Sequence, residues 1–318
     1  MTALIAIVTQ MLHVALLLAV APLLTGYIAW FEARLAGHAG PSLLQPWRDM
    51  ARLLRKQRVV AESVSELLPI APLVAFAAIV TAAALVPSFT LGMLLAPLSD
   101  LLVIAGLLAL ARCALALAGM DAGTALGGMG ASRTMTLACC AEPALLLVIF
   151  TLALLAGSSN LDLVAAMRQE SSAVWRISDG LAVAAVLLVA LADTGRGLVR
   201  PGERAELAML DQAVNLEFSG QDLALIEATA ALRLLLWFDL ICAMFLPFRI
   251  ALPDAGLAGW SIGCICWLVK LLLLGSVLAV LETVLGRTRM QRIPQLLGVA
   301  VLFGLLAVVF MFASAGTV

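Results

Sequence analysis

The feature that most constrains this chain is a series of apolar runs, each about as long as a bilayer is thick and nearly empty of charge. A helix needs about 20 apolar residues to cross the hydrocarbon core, where every backbone N–H and C=O must be bonded within the segment. Eight segments qualify, near 4–30, 67–88, 98–119, 134–157, 178–197, 223–248, 259–284 and 293–314. The charge-free run from Leu67 to Ser99 is too long for one span. Pro87-Ser88, then Pro97 to Asp100, divide it into a span and a turn. Composition agrees, since 64% of the 318 residues are apolar and 12% charged, where soluble domains average about 45–50% and 25%.

The expected fold is therefore an all-α integral membrane protein, a single polytopic domain over residues 1–318, because no polar block is long enough to fold separately. A net charge of -1 leaves no basic footprint for a nucleic-acid partner. The N-terminus lacks the basic n-region of a secretory signal, and Met1 to Phe31 is too long for an h-region, so it reads as a first span that stays. Cys113, Cys139, Cys140, Cys242, Cys264 and Cys266 lie inside apolar runs without CxxC spacing, far from His13 and His38. They read as packing residues, and no metal is expected in this chain.

Basic residues orient the spans, because loops retained in the cytoplasm keep Lys and Arg. Arg34, Arg48, Arg52, Arg55, Lys56 and Arg58 follow the first span, and Arg112 and Arg133 flank the third-to-fourth connection. Arg196, Arg200 and Arg204 follow the fifth, and Arg287, Arg289 and Arg292 the seventh, together 14 of the 19 basic residues. Arg168, Arg176 and Arg249 are left on the other side. The alternation holds only for an even number of spans with both termini outside the cytoplasm.

Two polar islands interrupt the pattern. Residues 42–58 place Leu43, Leu44, Trp47, Met50, Leu53 and Leu54 at helical spacing, with Arg48, Arg52, Arg55 and Lys56 largely around them. This predicts an amphipathic helix in the interface, serving as a headgroup anchor, as the wall of a docking site for a cytoplasmic partner, or as both. The loop over 197–222 combines Glu203, Arg204, Glu206, Asp211, Glu217 and Asp222 with Leu207, Met209, Leu210, Val214, Leu216 and Phe218. That apolar content points to a partly buried element whose carboxylates face a cavity or a partner.

Glu142, Glu227, Arg233, Asp239, Lys270 and Glu282 fall within the predicted spans, with Asp193 near the end of one. A charge at mid-bilayer costs about 2.5–3.5 kcal/mol on the insertion scale, so these groups are expected to face one another or water. Arg233 lies six residues from both Glu227 and Asp239, nearly two turns, which puts the three on one broad face. Such alternation suits a proton relay, or alternatively a set of static interhelical ion pairs. Glu142 is distinguished by Pro143, which frees a backbone carbonyl beside an acid.

Several stretches resemble a known family. Gly40-Pro41, Leu43-Leu-Gln-Pro46 and Asp49 through Leu53-Leu-Arg-Lys56 look like the first cytoplasmic loop of the NuoH family, subunit 1 of respiratory complex I. The remainder is similar to its hydrogenase-associated branch, that of formate hydrogenlyase and hydrogenase-4 component C. The stretches are Asp121-Ala-Gly123 with Gly130-Ala-Ser-Arg133 and Glu142-Pro143; Glu206-Leu-Ala-Met209 with Leu216-Glu-Phe-Ser-Gly220 and Asp222-Leu-Ala-Leu225; and Val269-Lys270 with Glu282-Thr283, Arg287, Arg289 and Arg292-Ile-Pro294.

The resemblance implies a non-catalytic subunit in a bacterial or archaeal cytoplasmic membrane. It would bind no cofactor itself, and would join [NiFe]-hydrogenase-like large and small subunits, which hold the [4Fe-4S] and NiFe centres, to antiporter-like membrane subunits. It also implies coupling roles for Arg133, Glu142, Glu206, Glu217, Glu227, Lys270 and Glu282. Partner docking is expected at Trp47, Arg48, Arg52, Arg55, Arg287 and Arg289. Two departures mark the cytoplasmic loop. Gly195-Arg196 leads through Gly197-Leu-Val-Arg200 to Pro201 without the branch's Asp-Asn-Pro acid, and Asp211-Gln212 stands where the branch often has His-Glu. A quinone-site subunit and a stand-alone cation/proton antiporter are the alternatives.

Overall fold

Ten α-helices are described in the computed structural model, over residues 2–59, 64–170, 177–195, 214–252, 256–285 and 293–315. They are α1 (Thr2–Leu35), α2 (Gln45–Leu54), α3 (Leu67–Leu85), α4 (Leu101–Asp121), α5 (Ala125–Ala156), α6 (Leu161–Glu170), α7 (Ile177–Asp193), α8 (Gly220–Phe245), α9 (Gly256–Leu285) and α10 (Ile293–Ala315). Among the described residues the strand-like pairings are two isolated bridges, Thr90 with Ala251 and Asp100 with Asn160.

Seven helices are long and apolar enough to cross a membrane: α1, α3, α4, α5, α8, α9 and α10. The remaining expected span, 178–197, corresponds to α7, whose 17 residues rise about 25 Å, the lower limit for a bilayer. The chain is thus an all-helical, multi-pass membrane protein, and the expected surface helix is present as α2. Other boundaries shift for local reasons. Helix α5 begins nine residues before the expected 134, because Thr124 accepts a hydrogen bond from the Gly127 N–H and caps a Gly-rich first turn. The unexpected α6 is opened by Asn160, whose Oδ1 accepts from the N–H groups of Asp162 and Leu163.

Each spanning helix presents a stripe of small or branched residues at three- and four-residue spacing. Examples are Leu17, Ala21, Leu24 and Ile28 on α1, Ala75, Ala78, Ile79 and Ala82 on α3, and Ala182, Ala185, Val186 and Val189 on α7. Small residues let backbones approach where lipid offers no hydrophobic drive to association. Helix α8 sits at the centre, against α1, α2, α3, α6, α7 and α9. Its apolar window is 83% buried, against 28% for α9 and α10 at the rim.

The contacts define two ends. At the α2 end, Ser65 Oγ donates to Asp121 (2.8 Å), Arg58 pairs with Asp222 (2.7 Å), and the Ser219 hydroxyl bonds the Val59 backbone. At the opposite end, which bears the start of α1 and the end of α10, buried segment 86–91 pairs with 250–251 through Leu91 N–H to Ala251 O (2.9 Å) and Ala251 N–H to Phe89 O (2.9 Å). Non-helical backbone at this depth needs protein cover. Helix α9 supplies it at Gly263, where a Cβ would come within 2.5 Å of the Phe89 carbonyl.

Candidate functional site

Three helices converge on Arg112 of α4. Its guanidinium is buried and donates through Nη1 to Asp193 (2.8 Å) and through Nη2 to Glu142 (3.1 Å). Asp193 Oδ2 also accepts from Trp237 Nε1 on α8 at 2.7 Å. The short α7 makes this possible. Asp193 is its last residue, and it meets Arg112 nine residues, about 14 Å of helix rise, before α4 ends. The space left beyond α7 is a cavity of about 380 Å³ lined by Arg112, Thr134, Asp193, Asn215 and Arg233 among others.

A second cavity of about 610 Å³ adjoins it, sharing Thr194, Asn215 and Ala230. Its wall includes Pro22 and Thr25 of α1, Pro46, Asp49 and Met50 of α2, and Glu227 of α8. Helix α2 can lie against α1 because Gly26 lacks a side chain: a Cβ there would come within 2.3 Å of the Leu43 carbonyl. Trp47 Nε1 donates to the Ala19 carbonyl (3.3 Å), while Arg48, Arg52 and Arg55 are exposed, Arg52 pairing with Asp49.

The other expected residues are distributed as follows. Glu142 joins Arg112, and Glu227 faces the larger cavity. Glu217, in a 3₁₀ turn at Asn215–Glu217, accepts from the Thr124 hydroxyl at the start of α5. Arg133 is half-buried on α5, and Glu282 is buried on α9. Lys270 stands apart, its Nζ donating to the carbonyls of Leu246 (2.8 Å) and Phe248 (2.6 Å) beyond the end of α8. Glu206, Arg287, Arg289 and both loop departures lie outside the described residues.

Sequence reasoning placed Arg112 and Asp193 near loops and missed that they form the buried pair. Nothing periodic announces it, because the partners are 81 residues apart. It also missed a second buried network, in which Asp239 accepts from Ser88 Oγ (2.9 Å) and Trp267 Nε1 (2.6 Å), while His13 Nε2 bonds Ser88 Oγ (2.9 Å). Among the described residues no group of three or more His, Cys, Asp or Glu side chains could hold a metal ion.

Fold and site define a class: a polytopic membrane protein with a charge-lined internal cavity, opening beside an amphipathic surface helix. The family profile described as NADH dehydrogenase matches residues 3–314, and the chain belongs to that family, the complex I subunit 1 family its motifs resemble. It is 30% identical over 287 residues to hydrogenase-4 component C of Escherichia coli K12, covering 89% of each chain. It is 29% identical over 310 residues to formate hydrogenlyase subunit 4 of the same organism, covering 96% of this chain and 98% of the other. A chain in the structure of the membrane-bound sulfane sulfur reductase, an archaeal respiratory membrane complex, shares the fold with a TM-score of 0.74 at 18% identity, over 95% of this chain and 99% of that one.

Proposed function

We propose that this chain is the membrane-anchoring and proton- or ion-coupling subunit of a complex I-like, membrane-bound [NiFe]-hydrogenase of the formate hydrogenlyase or hydrogenase-4 type. The observation that carries this is the near full-length similarity to two hydrogenase-system subunits. The paired cavities beside α2 support it, because Glu227 and Arg233 line them between the α2 end and the buried Arg112–Asp193 pair, which Glu142 joins through Arg112. In this reading Arg48, Arg52, Arg55, Arg287 and Arg289, with Trp47, receive a cytoplasmic redox arm that holds the [4Fe-4S] and NiFe centres. Antiporter-like subunits cover apolar faces in the membrane. The α2 end then faces the cytoplasm of a bacterial or archaeal cell, with both termini on the opposite side.

Chemically, the cavity can change the charge seen by Arg112. Glu142 has a side chain 43% exposed, Asp193 only 2%. In this reading the more accessible Glu142 is the coupling carboxylate, while Asp193 keeps the guanidinium in place. A redox step in the docked arm that alters charge near the cavity mouth would bias the protonation of that carboxylate.

Purification of the intact complex tests the assignment, with hydrogen evolution and quinone reduction assayed side by side. Hydrogen evolution is expected. Quinone-dependent activity without hydrogenase activity would move the chain to the quinone-site role, and ion transport by the purified chain alone would make it a stand-alone antiporter.

A further inference from the structure

The His13–Ser88–Asp239 network lies away from the cavity and has no part in the coupling route above. His13 on α1 is fully buried, Ser88 in the covered 86–91 segment is 7% exposed, and Asp239 on α8 is 2% exposed. Three elements remote in sequence are thus joined by polar side chains inside an apolar core.

With Asp239 ionised, hydrogen-bond chemistry sets the direction of the chain. Ser88 has one hydroxyl proton and gives it to Asp239 Oδ2. It can then only accept from His13, so the imidazole is the Nε2–H tautomer, with a lone pair on Nδ1. That Nδ1 is buried and has no partner among the described residues. One turn earlier on the same helix, Gln10 donates through Nε2 to the Ala84 carbonyl (3.0 Å), leaving its buried Oε1 likewise without a partner. Two unfilled acceptors a turn apart on one buried face call for a donor, and a water molecule has two O–H groups to supply.

We propose that His13, Ser88 and Asp239 form a one-proton relay and store, fed at His13 Nδ1 by a water held between Gln10 and His13. A proton arriving on Nδ1 releases the Nε2 proton to Ser88 Oγ, and Ser88 passes its own to Asp239 Oδ2. One proton enters at nitrogen and one comes to rest on the carboxylate. The two bonds of the relay survive with their direction reversed: Asp239 now donates to Ser88, and Ser88 to His13. No imidazolium forms, and the apolar site goes from one negative charge to none. Trp267 N–H has no lone pair to relay onward, so it fixes Asp239 and closes that exit. The neighbouring titratable groups are Cys242 on α8 with Lys270 and Cys266 on α9; Lys270 feels the carboxylate only at a distance, its Nζ being held by the Leu246 and Phe248 carbonyls.

The relay deepens the coupling role proposed above by giving it a proton-holding site nearer the end that bears the termini. The test is made on the chain alone, in lipid nanodiscs, so it can fail while the hydrogenase assignment stands. The chain has two histidines. With exposed His38 replaced in His38→Gln, ring-¹⁵N labelling reports His13 only, while infrared difference spectra report carboxyl protonation. On lowering the pH, the expected result is a switch of His13 from the Nε2–H to the Nδ1–H tautomer in step with a new carboxylic acid band absent from Asp239→Asn. Ser88→Ala abolishes the concerted switch, and Ser88→Thr, which keeps the hydroxyl, restores it. An imidazolium signal with Asp239 still ionised, a tautomer that never changes, or a switch that survives Ser88→Ala would each overturn the relay.

Discussion

Arg112 faces two carboxylates of unequal burial, and that inequality divides their work. The Asp193 side chain is nearly sealed from solvent and shares its two oxygens between Arg112 and Trp237. Its removal leaves the buried guanidinium with the half-exposed Glu142 alone, and breaking a buried pair costs up to about 3–5 kcal/mol. Glu142 is a half-exposed partner, for which about 0–1 kcal/mol is typical. Asp193→Asn is therefore expected to lower the thermal midpoint of the purified chain clearly, and Glu142→Gln to leave it nearly unchanged. Equal midpoints for the two variants would remove the distinction between a buried anchor and an accessible partner.

Asp162 offers a second residue-level check, outside the membrane spans. It lies in the first turn of α6 and accepts from the Gly92 N–H at 3.2 Å. Burial pushes its carboxyl above the usual carboxylate range, outweighing the opposite pull of that N–H. A carboxyl raised on folding contributes stability that is present at acid pH and lost as pH rises through the folded-state value. Asp162→Asn is expected to narrow the gap between the thermal midpoints measured at mildly acidic and neutral pH. A gap as wide as in the wild type would show that Asp162 does not contribute to it.

Among the elements, α2 is the most testable, because packing and docking depend on different residues of one short helix. Gly26 sets its distance from α1, and Gly26→Ala is expected to displace the Leu43–Pro46 stretch, at about 1–3 kcal/mol for overpacking, and to expose the Arg55–Lys56 bond to trypsin. Charge reversal at Arg48, Arg52 and Arg55 touches exposed side chains only. It is expected to preserve the fold and release the redox arm from washed membranes. Retention of the arm would move the docking surface elsewhere.

The spanning helices were legible because the bilayer imposes one length and one chemistry, and α7 reads as a span although it is short. Its shortness mattered more than the sequence suggested, since the cavity occupies the space beyond its end. Helix α6 escaped notice because ten mixed residues in a connection carry no membrane signal, although Asn160 stood where a cap belongs. Glu142 and Asp239 were visible as acids in apolar runs. Their partners were not: Arg112 looked like a loop residue, His13 is a single polar residue of the kind membrane helices tolerate, and Ser88 looked like part of a turn.

At the scale of the whole molecule, α8 separates two buried networks. Trp237 reaches Asp193 towards the α2 end, and Asp239, two residues on, reaches Ser88 on the other side of the helix. Two residues turn a helix by about 200° and advance it about 3 Å, so the two side chains leave α8 from opposite faces. Both indole groups only donate, and Leu235, Leu236, Leu240 and Ile241 fill the surroundings. Among the described residues no hydrogen bond joins the two networks. The alternation of ends also predicts that a cysteine introduced at Ala315 reacts with an impermeant maleimide from outside the cell. One introduced at Gln57 is expected to react only after the membrane is opened.

The central claim is that this chain couples redox chemistry in a docked arm to proton movement through its own buried charges. Proton translocation by the intact complex in proteoliposomes, with redox turnover followed in the same sample, tests it most directly in Glu142→Gln and Glu217→Gln. The account predicts complexes that assemble and turn over but no longer move protons. Assembled variants that translocate protons like the wild type would contradict it and leave the chain a passive anchor.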